Sequence, residues 1–214
     1  IAYFQDFTNT YAPVKYLEKI FTKAISHPDI VALSIATRPD CLDNEVLALL
    51  NDLNKQIPLW IELGFQTSNE ETAKWMNRGY TNDCLIKAVN NLKNIGVNVI
   101  VHIINGLPTD SFNDMINTVK FLSNLPIDGI KIHMLHVINN SPLGAIYKQK
   151  PFKLLTLKEY VDIVVQQLRI LPPNIVIHRI TGDADKNELI APLWTLKKFV
   201  VMNEIDKKMR KENV

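Results

Sequence analysis

Polar side chains recur where the apolar runs of this 214-residue sequence end, and they are the residues that could do chemistry. They include carboxylates, amides, hydroxyls and imidazoles, which can bind a polar ligand or move a proton. The set is Asp6, Thr8, Asn9, Thr37, Arg38, Asp40, Gln66, Thr67, His102, Asn105, His133, His136, His178, Thr181 and Asp183. It contains no recognisable catalytic dyad, and neither a Gly-x-Ser-x-Gly elbow nor an HExxH metal motif occurs.

Apolar runs that begin near residues 1, 30, 59, 97, 129 and 174 predict six strands, with amphipathic helices between most of them. Repeated βα units indicate parallel strands with right-handed crossovers. The central unit is 98–111, where an apolar run meets a Gly-Leu-Pro turn. We expect an α/β fold, a TIM-like or open partial barrel, and a doubly wound sheet is the alternative. The polar set then lies at the C-terminal strand ends, where such barrels place their sites.

Composition limits the classes of function. Lys and Arg number 24 against 22 Asp and Glu, and this near balance argues against a mainly electrostatic DNA binder. No apolar run is long enough to span a bilayer. Two cysteines make no disulfide framework, so we expect a reducing, cytoplasmic compartment. The chain starts at Ile1 inside a predicted strand, and we expect a fragment without its first βα unit.

Local signals predict how several elements begin. Asp43 is a candidate N-cap, and Thr156 with Glu159 forms a predicted capping box. The segment 139–153 is rich in Pro, Gly and Lys and predicts a long loop, a lid or an extension. A last helix is predicted over 192–209, within a C-terminal extension that begins near residue 184.

Several segments, taken in order, resemble radical S-adenosylmethionine (SAM) enzymes. Residues 62–67 read ELGFQT, residues 77–80 read NRGY, and His102-x-Ile104-x-Gly106-Leu107-Pro108-x-Asp110 follows. These resemble segments of the coproporphyrinogen-oxidase and elongator-type tRNA-modifying branches. More closely, the chain is similar to the YhcC/YtqA-like bacterial radical SAM family. That likeness lies in residues 3–13, 131–136, 178–183 and 191–194, and the resemblance as a whole covers essentially the whole chain.

The resemblance implies a fold and a chemistry. The fold would be a partial (β/α)6-type barrel, with residues 1–214 as the C-terminal portion of a radical SAM domain. The intact enzyme would use a [4Fe–4S] cluster to cleave SAM reductively to a 5′-deoxyadenosyl radical. A tRNA substrate and a reductant such as flavodoxin or ferredoxin are implied partners. The family's three-cysteine cluster motif is absent, so we expect the cluster ligands upstream and this fragment alone to be inactive.

The resemblance also assigns a SAM pocket. By position, Gln66 and His102 would contact the ribose, Arg78 the carboxylate, and Ile104 the adenine. Thr8 and Asn9 would lie near the amino group. Thr37 would line the same pocket, and Gly106 would let backbone approach. Ala36 departs from the pattern, since related enzymes often carry a SAM-binding Glu there.

Other interpretations of these residues stay open. Gln66 could be a structural amide, Arg78 a surface residue, and His102 a satisfied core histidine. Arg38 with Asp40 is interpreted as an internal salt bridge rather than a ligand contact. His136 and Asp183 are candidates for the substrate site, although Asp183 could be a turn residue. His133 and His136 are three positions apart, so on a strand they would face opposite sides and would not bind one metal ion together.

Cys41 is interpreted as a bystander thiol and Cys84 as a core residue. Two rival functions remain. One is a non-catalytic barrel that binds or scaffolds a partner. The other is a barrel enzyme acting on a phosphorylated metabolite, which would need a Gly-rich phosphate turn after a late strand. Thr181-Gly182-Asp183 is a poor substitute for such a turn.

Overall fold

The computed structural model describes residues 1–212 and confirms the six parallel strands. The strands are β1 Ala2–Phe4, β2 Leu33–Thr37, β3 Leu59–Gln66, β4 Asn98–Asn105, β5 Gly129–Met134, β6 Val137–Ile138, β7 Val176–Arg179 and β8 Leu189–Ala191. The six parallel strands form one sheet in the order β1-β2-β3-β4-β5-β7, and a separate antiparallel pair joins β6 to β8. The helices are α1 Val14–Ile25, α2 Asn44–Asn54, α3 Glu70–Trp75, α4 Asn82–Asn94, α5 Phe112–Ser123, α6 Pro142–Gln149, α7 Leu157–Ile170 and α8 Lys198–Glu212.

The main sheet has one apolar face and one polar face. Alternate residues such as Ile35, Leu63 and Val101 point to the helices and are fully buried. Residues between them, such as Glu62 and His102, point to the other face. The apolar face supplies the core, because burying its β-branched and Leu side chains removes most of the sheet's hydrocarbon from water.

The polar face is concave. Lys131 on β5 reaches the hydroxyl of Tyr3 on β1, with Nζ and Oη 3.2 Å apart. Three strands lie between them, so a flat sheet would hold the two backbones about 19 Å apart. That is more than the two side chains span together, and the contact is possible because the sheet is curled into a half-barrel. The curl brings side chains of distant strands to one place.

Two predicted capping motifs are present at the starts of α2 and α7. The Asp43 carboxylate accepts a hydrogen bond from the Val46 amide. Thr156 and Glu159 form the reciprocal bonds of a capping box at the start of α7. These bonds satisfy amide donors that have no partner inside the helix, and so they fix where the helices leave the sheet edge.

Two predicted segments differ from the structure. The predicted loop 139–153 contains α6, because Ser141 caps it by accepting from the Gly144 amide and Pro142 suits its first turn. The predicted helix 192–209 is divided into a 3-10 turn over Leu193–Leu196 and then α8. Among the helices described for residues 1–212, none has the length and apolar character needed to cross a bilayer.

Candidate functional site

Glu62 lies at the centre of the concave face and is 4% exposed. Its Oε1 accepts a hydrogen bond from the Ser34 hydroxyl at 2.9 Å. Its Oε2 accepts from the Tyr3 hydroxyl at 2.7 Å and Lys131 Nζ at 2.6 Å, and His102 Nε2 lies 2.7 Å away. The four partners come from β1, β2, β4 and β5, and together with Glu62 we call them the Glu62 cluster.

Electrostatics keep Glu62 ionised. Burial alone would raise the pKa of its carboxyl, but hydrogen bonds from His102, Lys131 and Tyr3 outweigh burial and hold the pKa well below its usual range. A buried carboxylate of this kind is stable only when its oxygens are matched by donors. The match here is complete, so the cluster is a fixed, charged platform in the half-barrel.

Glu62 is not among the residues that the sequence predicts for the site. It is one residue of the ELGFQT segment. The available signal was a carboxylate between Ile61 and Leu63 in a strand that is otherwise apolar. A charge in such a strand needs partners, and the strand-end polar set contains one of them, His102.

A groove of about 320 Å³ opens above the Glu62 cluster. Three predicted cofactor residues line it, namely Thr37, Gln66 and His102. Its other lining residues are Tyr3, Gln5, Phe7, Ala36, Arg38, Glu62, Gly64, Lys131, His133 and Arg179. Ile104 is half-buried beside this groove, since it follows His102 on the same face and pairs with His133 in the strand register.

His133 borders the groove as a neutral imidazole. Burial lowers the pKa of the ring to about 3, and the nearby cations Arg179 and Lys131 contribute to this shift. Within residues 1–212, its buried Nε2 atom has no hydrogen-bond partner. The ring centroids of His133 and His102 lie 5.4 Å apart. A polar ligand in the groove would find an unsatisfied nitrogen here.

The loop after β1 is fastened by its own polar side chains. Asn9 Nδ2 donates to the Phe4 and Ala36 carbonyls at 3.1 and 2.9 Å. Thr37 shares a hydrogen bond with Thr10 at 2.5 Å. Thr8 is half-buried in this loop. The predicted cofactor roles of Thr8, Asn9 and Thr37 stay predictions, and the Asn9 amide and Thr37 hydroxyl are already engaged within the protein.

Gln66 ends β3 in a left-handed backbone conformation, with φ of +69°. The strand register is irregular between Gly64 and Gln66, which re-aims the side chain at the groove. A Cβ at position 64 would lie 2.8 Å from the amide end of the Gln66 side chain, so any larger residue there would push that side chain aside. The predicted ribose contact of Gln66 stays a prediction.

Arg78 lies under the loop that leaves β3 and is 4% exposed. Its guanidinium donates to the Thr67 carbonyl at 2.7 Å and the Tyr80 carbonyl at 2.9 Å. It also contacts Glu70 at 3.3 Å and Asn82 Oδ1 at 3.1 Å. It is therefore neither a surface residue nor part of the groove lining. The predicted contact with a SAM carboxylate stays a prediction, and it would require these bonds to be given up.

Gly106 turns the chain at the end of β4 with φ of +96°. A Cβ there would lie 3.1 Å from Leu155 Cδ1, so the position needs glycine for both space and conformation. The Gly106 amide lies 3.2 Å from the Met115 sulfur. This arrangement packs Gly106 against the start of α7 rather than against the groove, and its predicted backbone approach to a cofactor stays a prediction.

The two candidate substrate residues lie near the β5 and β7 ends. His136 follows β5, is half-buried, and has a buried Nε2 with no partner in the described chain. Asp183 forms ion pairs with Arg179, at 3.4 Å, and with Lys198. The Asp183 side chain is 58% exposed and already neutralised by these cations. Neither residue lines the groove, and their substrate roles stay predictions.

The predicted salt bridge between Arg38 and Asp40 is present. The Arg38 guanidinium forms a two-pronged pair with the Asp40 carboxylate at 2.9 and 2.7 Å. Cys41 lies next to this pair and Cys84 lies in α4, where it is half-buried rather than fully in the core. Burial raises the pKa of both thiols, which disfavours the thiolate needed to bind a metal.

The groove and the cysteines differ in what they could hold. Over residues 1–212, no three His, Cys, Asp or Glu side chains are grouped to hold a metal ion. These residues therefore do not fit an iron–sulfur cluster, which needs cysteine thiolates. The groove does fit a polar, hydroxyl-bearing ligand such as SAM, since it offers charged, donor and acceptor groups and an unsatisfied imidazole nitrogen.

Comparisons with known proteins agree on one family. The sequence model of the Radical SAM superfamily matches residues 1–122, and that of the Radical_SAM C-terminal domain matches residues 127–211. YtqA of Bacillus subtilis is 43% identical over 209 residues, which are 98% of this chain and 65% of YtqA. YhcC of Escherichia coli is 32% identical over 215 residues, covering 100% of this chain and 70% of YhcC.

Solved structures with this fold include larger proteins. Elp3 of Methanocaldococcus infernus, with an N-terminal deletion, gives a TM-score of 0.81 at 21% identity and covers 96% of this chain and 53% of its own. Coproporphyrinogen III oxidase (HemN) of Escherichia coli, a radical SAM enzyme, gives a TM-score of 0.60 at 19% identity and covers 76% of this chain and 37% of its own. The chain thus spans just under two thirds of YtqA and about half of that Elp3. With its parallel half-barrel and two matching family models, the chain belongs to the radical SAM superfamily.

Proposed function

We propose that the protein containing this chain is a radical SAM enzyme and that the groove above the Glu62 cluster binds SAM. The observation that carries this proposal is the charged groove on the concave face of a radical SAM half-barrel. It contains cations for a carboxylate, Lys131 and Arg179, and an amide and an imidazole for hydroxyls, Gln66 and His102.

The chain's own part in such a reaction is to bind and orient. Gln66 can donate to one hydroxyl and accept from another, as a ribose diol requires. Ile104 offers an apolar surface beside His102 on which a flat base can pack. The curled sheet encloses the ligand on one side and limits water there. The residues described here hold the cosubstrate in place and take no electron themselves.

In this proposal the iron–sulfur cluster is bound by another part of the protein. A [4Fe–4S] cluster, when bound, would supply the electron that cleaves SAM to methionine and a 5′-deoxyadenosyl radical. We place its thiolate ligands outside the 214 residues, because the chain has only two cysteines and they lie in separate elements. A protein reductant of the flavodoxin or ferredoxin type would feed it. The chain expressed alone is expected to carry no cluster and to form no 5′-deoxyadenosine.

Cleavage of SAM by the intact protein tests the proposal. The reconstituted protein, supplied with dithionite and SAM, is expected to release 5′-deoxyadenosine, detected by chromatography and mass spectrometry. His102→Leu is expected to lower that release together with SAM affinity, and exposed Glu18→Gln on α1 is the matched control. Absence of both SAM binding and 5′-deoxyadenosine would refute the proposal and favour a barrel that only binds or scaffolds.

A tRNA uridine is a second, narrower proposal for the substrate. Its support is sequence likeness: human Elongator complex protein 3 is 28% identical over 179 residues, 82% of this chain and 31% of that protein. The net charge of +2 adds no support. The intact protein is expected to shift tRNA in a gel with an affinity that falls as salt rises. A lack of any shift at low salt would remove the tRNA proposal and leave SAM cleavage intact.

A further inference from the structure

We propose that Glu62 is a positioning residue that holds His102 as the Nε2–H tautomer, so that His102 Nδ1 accepts a hydrogen bond from a hydroxyl of the ligand in the groove. The inference rests on the proposed function for the identity of that ligand. It concerns a residue pair that the groove lining alone does not explain.

The direction of the Glu62–His102 hydrogen bond follows from chemistry. Glu62 Oε2 and His102 Nε2 are 2.7 Å apart. An ionised carboxylate has no proton to give, so the nitrogen must be the donor. In a neutral imidazole the proton on Nε2 leaves a lone pair on Nδ1, and Nδ1 becomes an acceptor.

The charge of Glu62 is already balanced within the cluster. Lys131 Nζ lies 2.6 Å from the same oxygen of Glu62 that His102 contacts. The carboxylate therefore needs only an N–H donor from His102, and a ring with its proton on Nε2 keeps Nδ1 as an acceptor.

The geometry of the carboxylate is fixed from its other side. Tyr3 and Ser34 donate to it at 2.7 and 2.9 Å, so Glu62 cannot rotate away from His102. The His102 side chain is 22% exposed and lines the groove. Within residues 1–212, Nδ1 has no hydrogen-bond partner of its own. The acceptor is thus available to a ligand and is held before the ligand arrives.

Nuclear magnetic resonance of the intact protein, labelled with 15N-histidine, measures the tautomer directly. Two-bond 1H–15N correlations show which ring nitrogen carries the proton, and His102→Asn identifies the His102 signals among the five histidines. We expect Nε2–H in the wild type and a mixture of tautomers in Glu62→Gln. A wild-type ring with the proton on Nδ1, or on both nitrogens, would overturn the inference.

Affinity for SAM, measured by equilibrium dialysis, tests whether His102 Nδ1 accepts a hydrogen bond from the ligand. The side chain of Asn places an amide oxygen close to the position of Nδ1, so His102→Asn is expected to keep affinity within about threefold. His102→Leu and Glu62→Gln are each expected to lose about tenfold. A merely structural His102 would make the Asn and Leu variants equal, and that result would also overturn the inference. If the wild type binds no SAM, the proposed function fails, and the tautomer measurement still decides the role of Glu62.

Discussion

Glu62 and Arg78 are both charged and each is 4% exposed, but they serve different parts of the molecule. The Arg78 guanidinium bonds to the Thr67 and Tyr80 carbonyls and so holds the loop that leaves β3. Glu62 bonds to side chains, and of these Tyr3, His102 and Lys131 also line the groove. Burial alone therefore does not tell a structural charge from a functional one.

The nature of the partner decides what a buried charge can do. Backbone carbonyls cannot move without refolding the loop, so Arg78 has one arrangement. Side-chain partners that border a groove can exchange a protein contact for a ligand contact. We therefore expect changes at Arg78 to act mainly on stability and changes in the Glu62 cluster to act mainly on binding.

Arg78→Met is expected to have the largest effect on folding. The change leaves buried carbonyls without donors, and the free energy of unfolding should fall by about 3 kcal/mol. Urea unfolding followed by circular dichroism measures this, with the 79% exposed Arg210→Met as control. If Arg78→Lys weakened SAM binding while stability stayed unchanged, Arg78 would be a SAM-binding residue and not a structural charge.

Acid should lower the stability of the folded protein through His133, which borders the groove. The ordinary pKa is 6.5 and the folded value is about 3, so between these values the unfolded chain binds the extra proton. The free energy of unfolding should then fall as pH drops through that window, by up to about 1.4 kcal/mol per pH unit.

His133→Gln removes this titrating ring and should make the dependence shallower between pH 6 and pH 4. His27→Gln, at an exposed histidine, is the matched control for the loss of an imidazole. Equal slopes for wild type and His133→Gln would show that the ring takes up a proton in the folded protein as easily as in the unfolded chain. His133 would then not be the neutral imidazole described for the groove.

Glu62→Gln should destabilise the fold less than Arg78→Met, by about 1–2 kcal/mol, because Lys131 and His102 can reach water in the groove. Since the folded pKa of Glu62 is depressed, its stabilisation is present above the unfolded value near 4.5 and is lost as pH falls toward the lower folded value. Urea unfolding at pH 7 and pH 3 should show the difference between wild type and variant shrink in acid. A larger loss of stability than that of Arg78→Met would show that Glu62 contributes more to folding than Arg78 does.

Arg38→Gln is expected to have the smallest effect. The Arg38–Asp40 pair is 40% and 32% exposed, and exposed pairs contribute at most about 1 kcal/mol. Urea unfolding in low and high salt should show a small difference that salt removes. A large loss that persists in high salt would mean that Arg38 supports the groove through its position over the Tyr80 ring.

Local sequence patterns predict the helices and strands. They do not reveal contacts between elements that are distant in the sequence. The apolar run at 59–65 identified β3, and Thr156 with Glu159 identified the start of α7. The pair Ser141 and Pro142 was interpreted as a loop, although a cap followed by proline also begins a helix.

The site was predicted only in part, because it depends on curvature. His102 and Gln66 were placed at strand ends by alternation and by resemblance, and both line the groove. The contact between Tyr3 and Lys131 joins residues 128 positions apart and exists only because the sheet curls. Arg78 follows a short helix, a position typical of surface residues, and nothing nearby in sequence reveals the carbonyls that surround it.

The reach of Tyr3 across the concave face has a consequence for local opening. β1 is a three-residue strand at the sheet edge, and within residues 1–212 it pairs with β2 alone. Such strands usually exchange their amide hydrogens quickly. The Tyr3 hydroxyl ties this edge to Glu62 and Lys131 in the middle of the sheet. Fraying of β1 must break those bonds as well, so its amides should exchange together with those of the central strands, as one cooperative unit.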